Sequence, residues 1–170
     1  SGTVPDLICL GKSLSGGFPI SACVGKASIM DAWPETHGEA LHTSTFLGNP
    51  LGCAMAIASL EEHANPATTR QAWDRGEDMG AAFRELSGEP FVVEWRGVGL
   101  MQAIELRHVD GRPAGDVCIE LVKGLLKDGI LVLPDAPEGH VLALTPPIGI
   151  SDEEIAFVVE RIRHRLRALA

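Results

Sequence analysis

Two short apolar runs near the start of the chain, separated by a glycine-rich segment, most constrain the fold. The runs cover residues 7–10 and 20–25 and are typical of buried strands. The segment between them contains Gly16 and Gly17 and is too rich in glycine for a stable helix. Two short buried strands cannot form a parallel sheet alone. We therefore expect the chain either to start in the middle of a larger domain or to pair these strands with something else.

A short helix at residues 27–33 and two longer helices are predicted after these strands. Asn49 and Pro50 suit the N-cap and the first position of the first longer helix. Its body, residues 51–63, is dense in alanine and apolar on nearly all sides, which predicts a mostly buried helix. The second longer helix, residues 67–86, is predicted to place four large apolar side chains on or near one face: Trp73, Met79, Phe83 and Leu86.

The composition changes after residues 87–88, and strand patterns alternate with helices from there to the end. Residues 91–106 predict an antiparallel pair of strands with a turn at residues 96–99. The last helix begins at a capping box formed by Ser151 and Glu154. These patterns predict an α+β unit, whose other elements are a helix at residues 117–127 and strands at residues 130–133 and 140–144.

Charge and cysteine content exclude several classes of function. The formal net charge of −9 argues against nucleic acid or an anionic membrane as the main partner. No apolar stretch reaches the roughly 18 to 20 residues of a membrane helix. The histidines are dispersed without metal-ligand spacing, so no metal site is expected. A cytoplasmic, reducing location is predicted because the cysteines have no CxxC spacing and resemble buried free thiols: Cys9, Cys23, Cys53 and Cys118.

Lys12 is the residue most suited to covalent chemistry. The segment Gly11-Lys12-Ser13 suggests a phosphate-binding P-loop, but that motif needs a glycine where the chain has Asp6 and a helix where it has a Gly-Gly-Phe-Pro turn. The alternative is a lysine displayed at the end of a buried strand. An amine that sheds its water there loses proton affinity and can attack an aldehyde. From the residues alone, an ordinary exposed lysine remains an open interpretation.

Four segments, in order, resemble the hallmarks of class III aminotransferases, the ornithine- and 4-aminobutyrate-aminotransferase-like enzymes that use pyridoxal 5′-phosphate (PLP). Residues 5–22 resemble the segment of the cofactor lysine, and residues 42–54 resemble the second hallmark. Residues 96–101 and 144–148 resemble the third and fourth. The resemblance covers essentially the whole chain.

This resemblance implies an α/β chain of fold type I, the PLP-transferase architecture. Residues 1–66 would be the C-terminal part of the large mixed-sheet domain that binds PLP. Residues 67–87 would be a linking helix, and residues 88–170 a small α+β C-terminal domain. The resemblance also implies a homodimer with shared active sites.

The resemblance assigns roles to three residues. Lys12 matches the lysine that forms a Schiff base with PLP and then moves a proton during transamination between an amine or amino acid and an oxo acid. Thr45 matches the threonine that binds the cofactor phosphate and reaches the neighbouring subunit's active site. Ser44 is a further candidate for the same phosphate. Arg96 could bind a carboxylate, but a charged residue in a glycine-flanked turn is more often structural.

One departure from the family pattern concerns the substrate. Many members that act on α-carboxylate substrates have an arginine where this chain has Ala143, so that clamp is missing. The chain would then use an ω-amine or lactam-like substrate, act as a racemase or epimerase, or take its carboxylate contact from elsewhere. Transamination is the first choice among these.

A second departure concerns completeness. In the family, three cofactor-binding features lie upstream of the lysine. They are the aspartate that pairs with the pyridine nitrogen, the aromatic residue that stacks on the pyridine ring, and the N-terminal phosphate-binding loop. Asp6 is too close to Lys12 to replace that aspartate. The 170 residues alone are therefore expected to be a catalytically incomplete part of a larger enzyme. The remaining alternative is a non-catalytic fragment that acts only in folding or dimerisation.

Overall fold

The structure is a computed structural model that describes residues 2–35, 37–38 and 43–170. The chain divides into two compact units, residues 1–66 and residues 67–170. No helix in the described parts of the chain is long and apolar enough to cross a membrane. The predicted division into a large domain, a linking helix and a small domain concerns the organisation of the whole protein and stays a prediction.

The described residues of the first unit form a two-stranded antiparallel sheet, one turn of 3₁₀ helix and two α-helices. Strand β1 (Leu7–Leu10) pairs with β2 (Ala22–Gly25), and helix α1 (Ala27–Met30) follows directly. Helix α2 (Pro50–Ala64) begins where the asparagine–proline pair predicted it. The unit therefore supplies one strand before Lys12 and one after it.

The predicted burial of these elements is wrong. All four residues of β1 are exposed, and Val24 of β2 has 54% of its surface accessible. In α2 only Gly52 and Ala56 are buried, whereas Leu51 and Ile57 are more than half exposed. A two-stranded sheet buries a face only when another layer packs on it, and the described residues of this unit supply no such layer.

The cysteine prediction is only partly right. Cys118 is buried, and burial raises the pKa of its thiol to about 11. Cys9 and Cys23, by contrast, lie opposite each other on β1 and β2 and are exposed. The difference follows from the same missing layer over the β1–β2 sheet.

The second unit is a four-stranded antiparallel sheet with three helices. Its strands follow the spatial order β3-β4-β6-β5, with each neighbour antiparallel. In chain order the elements are α3 (Pro66–Arg84), β3 (Val92–Val98), β4 (Met101–Leu106), α4 (Gly115–Lys127), β5 (Leu133–Asp135), β6 (Val141–Leu144) and α5 (Asp152–Leu169).

Two predicted boundaries in this unit are wrong. The turn between β3 and β4 is shorter than predicted, because Val98 pairs directly with Met101. Strand β5 begins at Leu133 rather than at residue 130. The reason is the end of α4, where the amide of Ile130 donates to the carbonyl of Leu125 at 2.9 Å in a Schellman-type cap.

One hydrophobic core fills the second unit. Met79, Phe83 and Leu86 are almost completely buried, as predicted. Trp73 is 54% exposed, which contradicts its predicted place on the buried face. The buried residues of α3 begin only at Gly76, so Trp73 precedes the part of the helix that packs on the core.

Helix α3 approaches the β3–β4 turn with no side chain between the two backbones. A β-carbon at position 76 would lie 2.3 Å from the carbonyl carbon of Gly99. The buried side chain of Gln102 joins the two, since its amide nitrogen donates to the carbonyls of Gly99 at 2.5 Å and Gly76 at 3.3 Å. Its oxygen accepts from the indole of Trp95 at 2.8 Å. Every polar atom of this buried amide group is therefore hydrogen-bonded.

The capping box predicted for the last helix is confirmed. The Ser151 hydroxyl accepts from the amide of Glu154 at 3.2 Å, and the Glu154 carboxylate accepts from the amide of Ser151 at 2.8 Å. Two amides at the start of α5 are thereby satisfied without tertiary contacts.

An ion pair between α4 and α5 makes the stability of this unit depend on pH. The guanidinium of Arg165 donates to both carboxylate oxygens of Asp128, at 2.9 and 2.6 Å. These bonds hold the pKa of the Asp128 carboxyl below its usual value of about 3.9. A carboxyl with a lowered pKa in the folded state contributes stability above its unfolded pKa and loses it as the pH falls through the folded value.

As the pH falls below about 4, we expect the free energy of unfolding to decrease less in an Asp128→Asn variant than in the parent protein. At neutral pH the variant should be less stable than the parent, because Arg165 loses its charged partner. The free energy of unfolding in urea, measured at several pH values, tests this. Identical pH profiles for the two proteins would contradict it.

Candidate active site

Lys12 lies in a tight turn directly after β1. Gly11 is extended, and residues 12–14 form one turn of 3₁₀ helix that the amide of Leu14 closes on the carbonyl of Gly11 at 3.0 Å. Lys12 itself has a φ of +50°, in the left-handed region that residues with a β-carbon avoid. Such conformations persist only where the surrounding structure holds them, and they are frequent at functional sites.

The side chain of Lys12 is exposed, which contradicts the prediction of a dry environment. Nothing in the described parts of the chain covers it. Its amine also has no hydrogen-bond or ion-pair partner among the described residues. By contrast, the amine of Lys26 donates to Asp6 at 2.6 Å. The Lys12 amine is thus accessible and not engaged in an ion pair.

The C-terminal part of the Lys12 loop, residues 15–18, is closed by a hydrogen bond between its own residues. The hydroxyl of Ser15, which is 3% exposed, donates to the carbonyl of Phe18. Gly16 and Gly17 between them have φ values of +67° and +145°, so the loop needs glycine at both positions. The loop is therefore an ordered turn, closed by its own hydrogen bond and by the conformations of its two glycines.

Ser44 and Thr45 lie together in a turn before α2. The amide of Leu47 donates to the carbonyl of Ser44 at 3.1 Å, and the turn ends at Asn49. Both hydroxyl residues are exposed, and neither the hydroxyl nor the amide of Thr45 has a partner within the described residues. His42, which begins the motif, lies outside the described residues.

The first amides of α2 are already used within the helix. The side chain of Asn49 accepts from the amides of Leu51 at 3.0 Å and Gly52 at 3.2 Å, and its carbonyl accepts from Cys53 at 2.9 Å. Pro50 has no amide hydrogen to offer. An anion near this helix would therefore be bound by the turn at residues 44–45 and not by the helix end.

Replacing Asn49 with alanine is expected to destabilise the protein by about 0.5–2 kcal/mol, because two amides lose their acceptor. Asn49→Asp keeps an acceptor oxygen and serves as the matched control. Hydrogen exchange at the amides of Leu51 and Gly52 measures the effect locally. Unchanged protection of both amides in the alanine variant would contradict the capping role.

Helix α2 also contacts the Lys12 loop. The hydroxyl of Ser59 donates to the carbonyl of Ser13 at 2.8 Å. Seven residues earlier, a β-carbon at position 52 would lie 2.8 Å from the ring of Phe18. Sequence analysis did not single out Ser59 or Gly52, and the available signal was only their spacing, which places them on one helix face. No hydrogen bond joins Lys12 to Thr45 within the described residues.

Arg96 is engaged in structural ion pairs. Its guanidinium lies 2.7 Å from Glu94 and 2.8 Å from Glu105 on the β3–β4 surface. The hydrogen bond with Glu105 raises the pKa of Arg96, and the hydrogen bonds from Arg96 and Arg107 lower the pKa of Glu105. This arrangement fits the structural interpretation of Arg96 rather than a free carboxylate binder.

The family model for class III aminotransferases matches residues 1–166. The chain belongs to this family. The predicted family is thus confirmed. This class III chain is 37% identical to an ornithine aminotransferase of Emericella nidulans, over 96% of the chain and 34% of the relative. It is 33% identical to a putrescine aminotransferase of Pectobacterium atrosepticum, over 99% of the chain and 35% of the relative.

Solved structures agree with the family assignment. The ornithine aminotransferase of Toxoplasma gondii, whose active site is partially occupied by PLP, matches with a TM-score of 0.74 and 36% identity. The match covers 96% of this chain and 37% of that one. The predicted α/β fold class is confirmed by this likeness. The class III chain spans about a third of the length of the curated relatives that it matches.

Proposed function

We propose that this chain is part of a PLP-dependent aminotransferase that uses Lys12 to carry the cofactor. The observation that carries the proposal is a lysine whose amine is exposed and has no partner among the described residues. It is held in a strained turn at the position where the family has its cofactor lysine. The donor groups also fit PLP. A primary amine suits its aldehyde, and the exposed hydroxyl and the amide of Thr45 suit its phosphate.

The role of Lys12 follows from its amine. PLP, when bound, supplies the electron sink that lets a Cα–H bond of an amino substrate ionise. The Nζ atom of Lys12 would hold the cofactor covalently between turnovers. Once released, the same Nζ is a primary amine on a flexible four-carbon stem that can accept and return a proton at substrate Cα. The left-handed turn fixes the start of that stem.

Phosphate binding is assigned to the turn at residues 44–45. The Thr45 hydroxyl and amide have no partner among the described residues and can donate, and Ser44 adds a second hydroxyl. Because the matching threonine of the family reaches the neighbouring subunit's active site, we assign Thr45 and Lys12 of one chain to active sites of different subunits in a homodimer. In this proposal the enzyme is cytoplasmic.

The exposure of Lys12 adds a requirement to the proposal. A hydrated lysine amine must shed its water before it can attack an aldehyde, so the proposed role requires a cover over Lys12. We assign that cover, and the aspartate that the family pairs with the pyridine nitrogen, to residues beyond those described. The described residues alone are proposed to be catalytically incomplete.

Trapping of the cofactor tests the proposal. The protein expressed from its complete coding sequence should absorb near 410–430 nm with PLP, and borohydride should fix PLP on a peptide that contains Lys12. Lys26, which pairs with Asp6, is the internal control and should stay unlabelled. A label found only on peptides without Lys12 would overturn the proposal.

Ala143 favours a second candidate reaction on the same cofactor, racemisation or epimerisation. Ala143 lies in the middle of β6, paired with Ala103 and Leu133, and its methyl group cannot bind a carboxylate. A racemase would place solvent deuterium at substrate Cα without an oxo acid. Transamination instead requires the oxo acid, and a strict requirement for it would exclude the second candidate.

A further inference from the structure

One face of α2 lies against the Lys12 loop. Gly52, Ala56 and Ser59 follow a spacing of four and three residues, which places them one above another on the same face of the helix. Gly52 and Ala56 are buried, and Ser59 is half-buried. The face contacts the loop at two points, through Gly52 at the ring of Phe18 and through Ser59 at the carbonyl of Ser13.

The contact of Ser59 is the one nearest to the lysine. The carbonyl that it binds belongs to the residue directly after Lys12, and the donor lies 46 residues away in the chain. Lys12 has a left-handed φ of +50°, a conformation that needs support from outside the turn. Within the turn, the amide of Leu14 bonds to Gly11 at 3.0 Å, and the next amide bond, from Ser15 to Lys12, is a long 3.5 Å. One of the two amide bonds within the turn is therefore long, and the bond from Ser59 to the Ser13 carbonyl adds a closure from outside the turn.

We propose that Ser59 is a positioning residue, whose hydroxyl holds the Ser13 carbonyl and so keeps the Lys12 turn in the conformation that presents the amine. This inference rests on the proposed role of Lys12. Ser59 touches no reacting atom. It acts on the backbone from which the flexible lysine stem starts, so that Nζ searches a smaller volume around the cofactor position.

The same helix also carries the second motif. Helix α2 begins at Pro50, five residues after Thr45. The turn of Thr45 directly precedes α2, and Ser59 lies in the second half of the same helix. A change in the tilt of α2 would move the phosphate-binding turn and the Lys12 loop together.

The test compares Ser59→Ala with two variants. Ser59→Thr retains the hydroxyl and is expected to keep the loop ordered. The double variant Ala58→Ser/Ser59→Ala retains one serine in α2 but moves it to an exposed position, and it should behave as Ser59→Ala does. In Ser59→Ala, hydrogen exchange at the amides of Leu14 and Ser15 should rise by roughly three- to ten-fold, because one supporting hydrogen bond is lost.

The test also measures the rate of borohydride trapping, kcat and KM of the protein expressed from its complete coding sequence. Borohydride trapping of PLP at Lys12 should slow in Ser59→Ala, and kcat should fall with KM nearly unchanged. Ser59→Cys, a near-isosteric change to a weak donor, should give intermediate values and guards against a folding defect in the alanine variant. Wild-type exchange and trapping in both Ser59→Ala and Ser59→Cys would overturn the role of Ser59.

The two proposals fail differently. If Lys12 of the parent protein traps no PLP, the proposed function fails whatever the Ser59 variants do. If the parent traps PLP at Lys12 and the Ser59 variants trap it at the parent rate with parent exchange, only the positioning role fails.

Discussion

A Lys12→Ala variant is expected to lose all borohydride-trapped PLP at this site and to transaminate at least about 10²- to 10⁴-fold more slowly than the parent protein. The magnitude is that of a general acid–base group, and loss of the covalent link adds to it. The variant should fold like the parent, because alanine at this position has the same left-handed strain as lysine. Activity and trapping are measured on the protein from the complete coding sequence.

Two further variants separate the amine from its charge. Lys12→Arg keeps a positive charge but offers no neutral amine, so it should be as inactive as Lys12→Ala. Lys26→Ala removes an exposed lysine that is ion-paired with Asp6, and it should keep nearly full activity and trapping. Activity retained in Lys12→Arg would contradict a role for the amine as nucleophile and proton carrier.

Gly76→Ala is expected to give the largest loss of stability, about 3 kcal/mol or more. The added β-carbon would lie 2.3 Å from the backbone of Gly99, so α3 and the β3–β4 turn must separate. The overpacking strain costs roughly 1–3 kcal/mol. The separation also breaks hydrogen bonds of the buried Gln102, and leaving its amide unsatisfied costs about another 1–3 kcal/mol. The gain of about 1 kcal/mol in helix propensity does not offset these losses.

A glycine in another helix supplies the matched control. Gly124 lies in α4, and a β-carbon there would meet the side chain of Arg165 at 3.0 Å instead of backbone. A shift of that side chain weakens its ion pair with Asp128, but the gain in helix propensity offsets the loss, so Gly124→Ala should change stability by less than about 1 kcal/mol. Urea unfolding followed by circular dichroism compares the two variants, and equal effects would contradict the close approach of α3 to the turn.

Features that depend on neighbours in sequence were predicted correctly. The Asn49–Pro50 start of α2 and the capping box of Ser151 and Glu154 are both present, because each is formed by side chains and amides within four residues. The position of Lys12 after a strand was predicted for the same reason. Its left-handed φ was not, since lysine carries no sequence preference for that region.

Burial was predicted poorly, because it depends on what packs against an element. The apolar residues of β1 indicate a strand that should be covered, but a sequence pattern does not supply the covering layer. The same holds for the exposed residues Leu51 and Ile57 of α2. For the second unit the prediction for Met79 and Phe83 was right, because a complete sheet packs against α3 there.

The sequence by itself determined the family, the order of the strands and helices, and the lysine on which the proposed chemistry depends. All of these are carried by short local motifs and by apolar periodicity. Only the tertiary structure decided that Ser59 holds the backbone beside Lys12 and that Gly76 must lack a side chain. Both depend on contacts between residues far apart in sequence, namely Ser59 with Ser13 and Gly76 with Gly99. No local pattern specifies such a distance, because it is set by how whole elements pack.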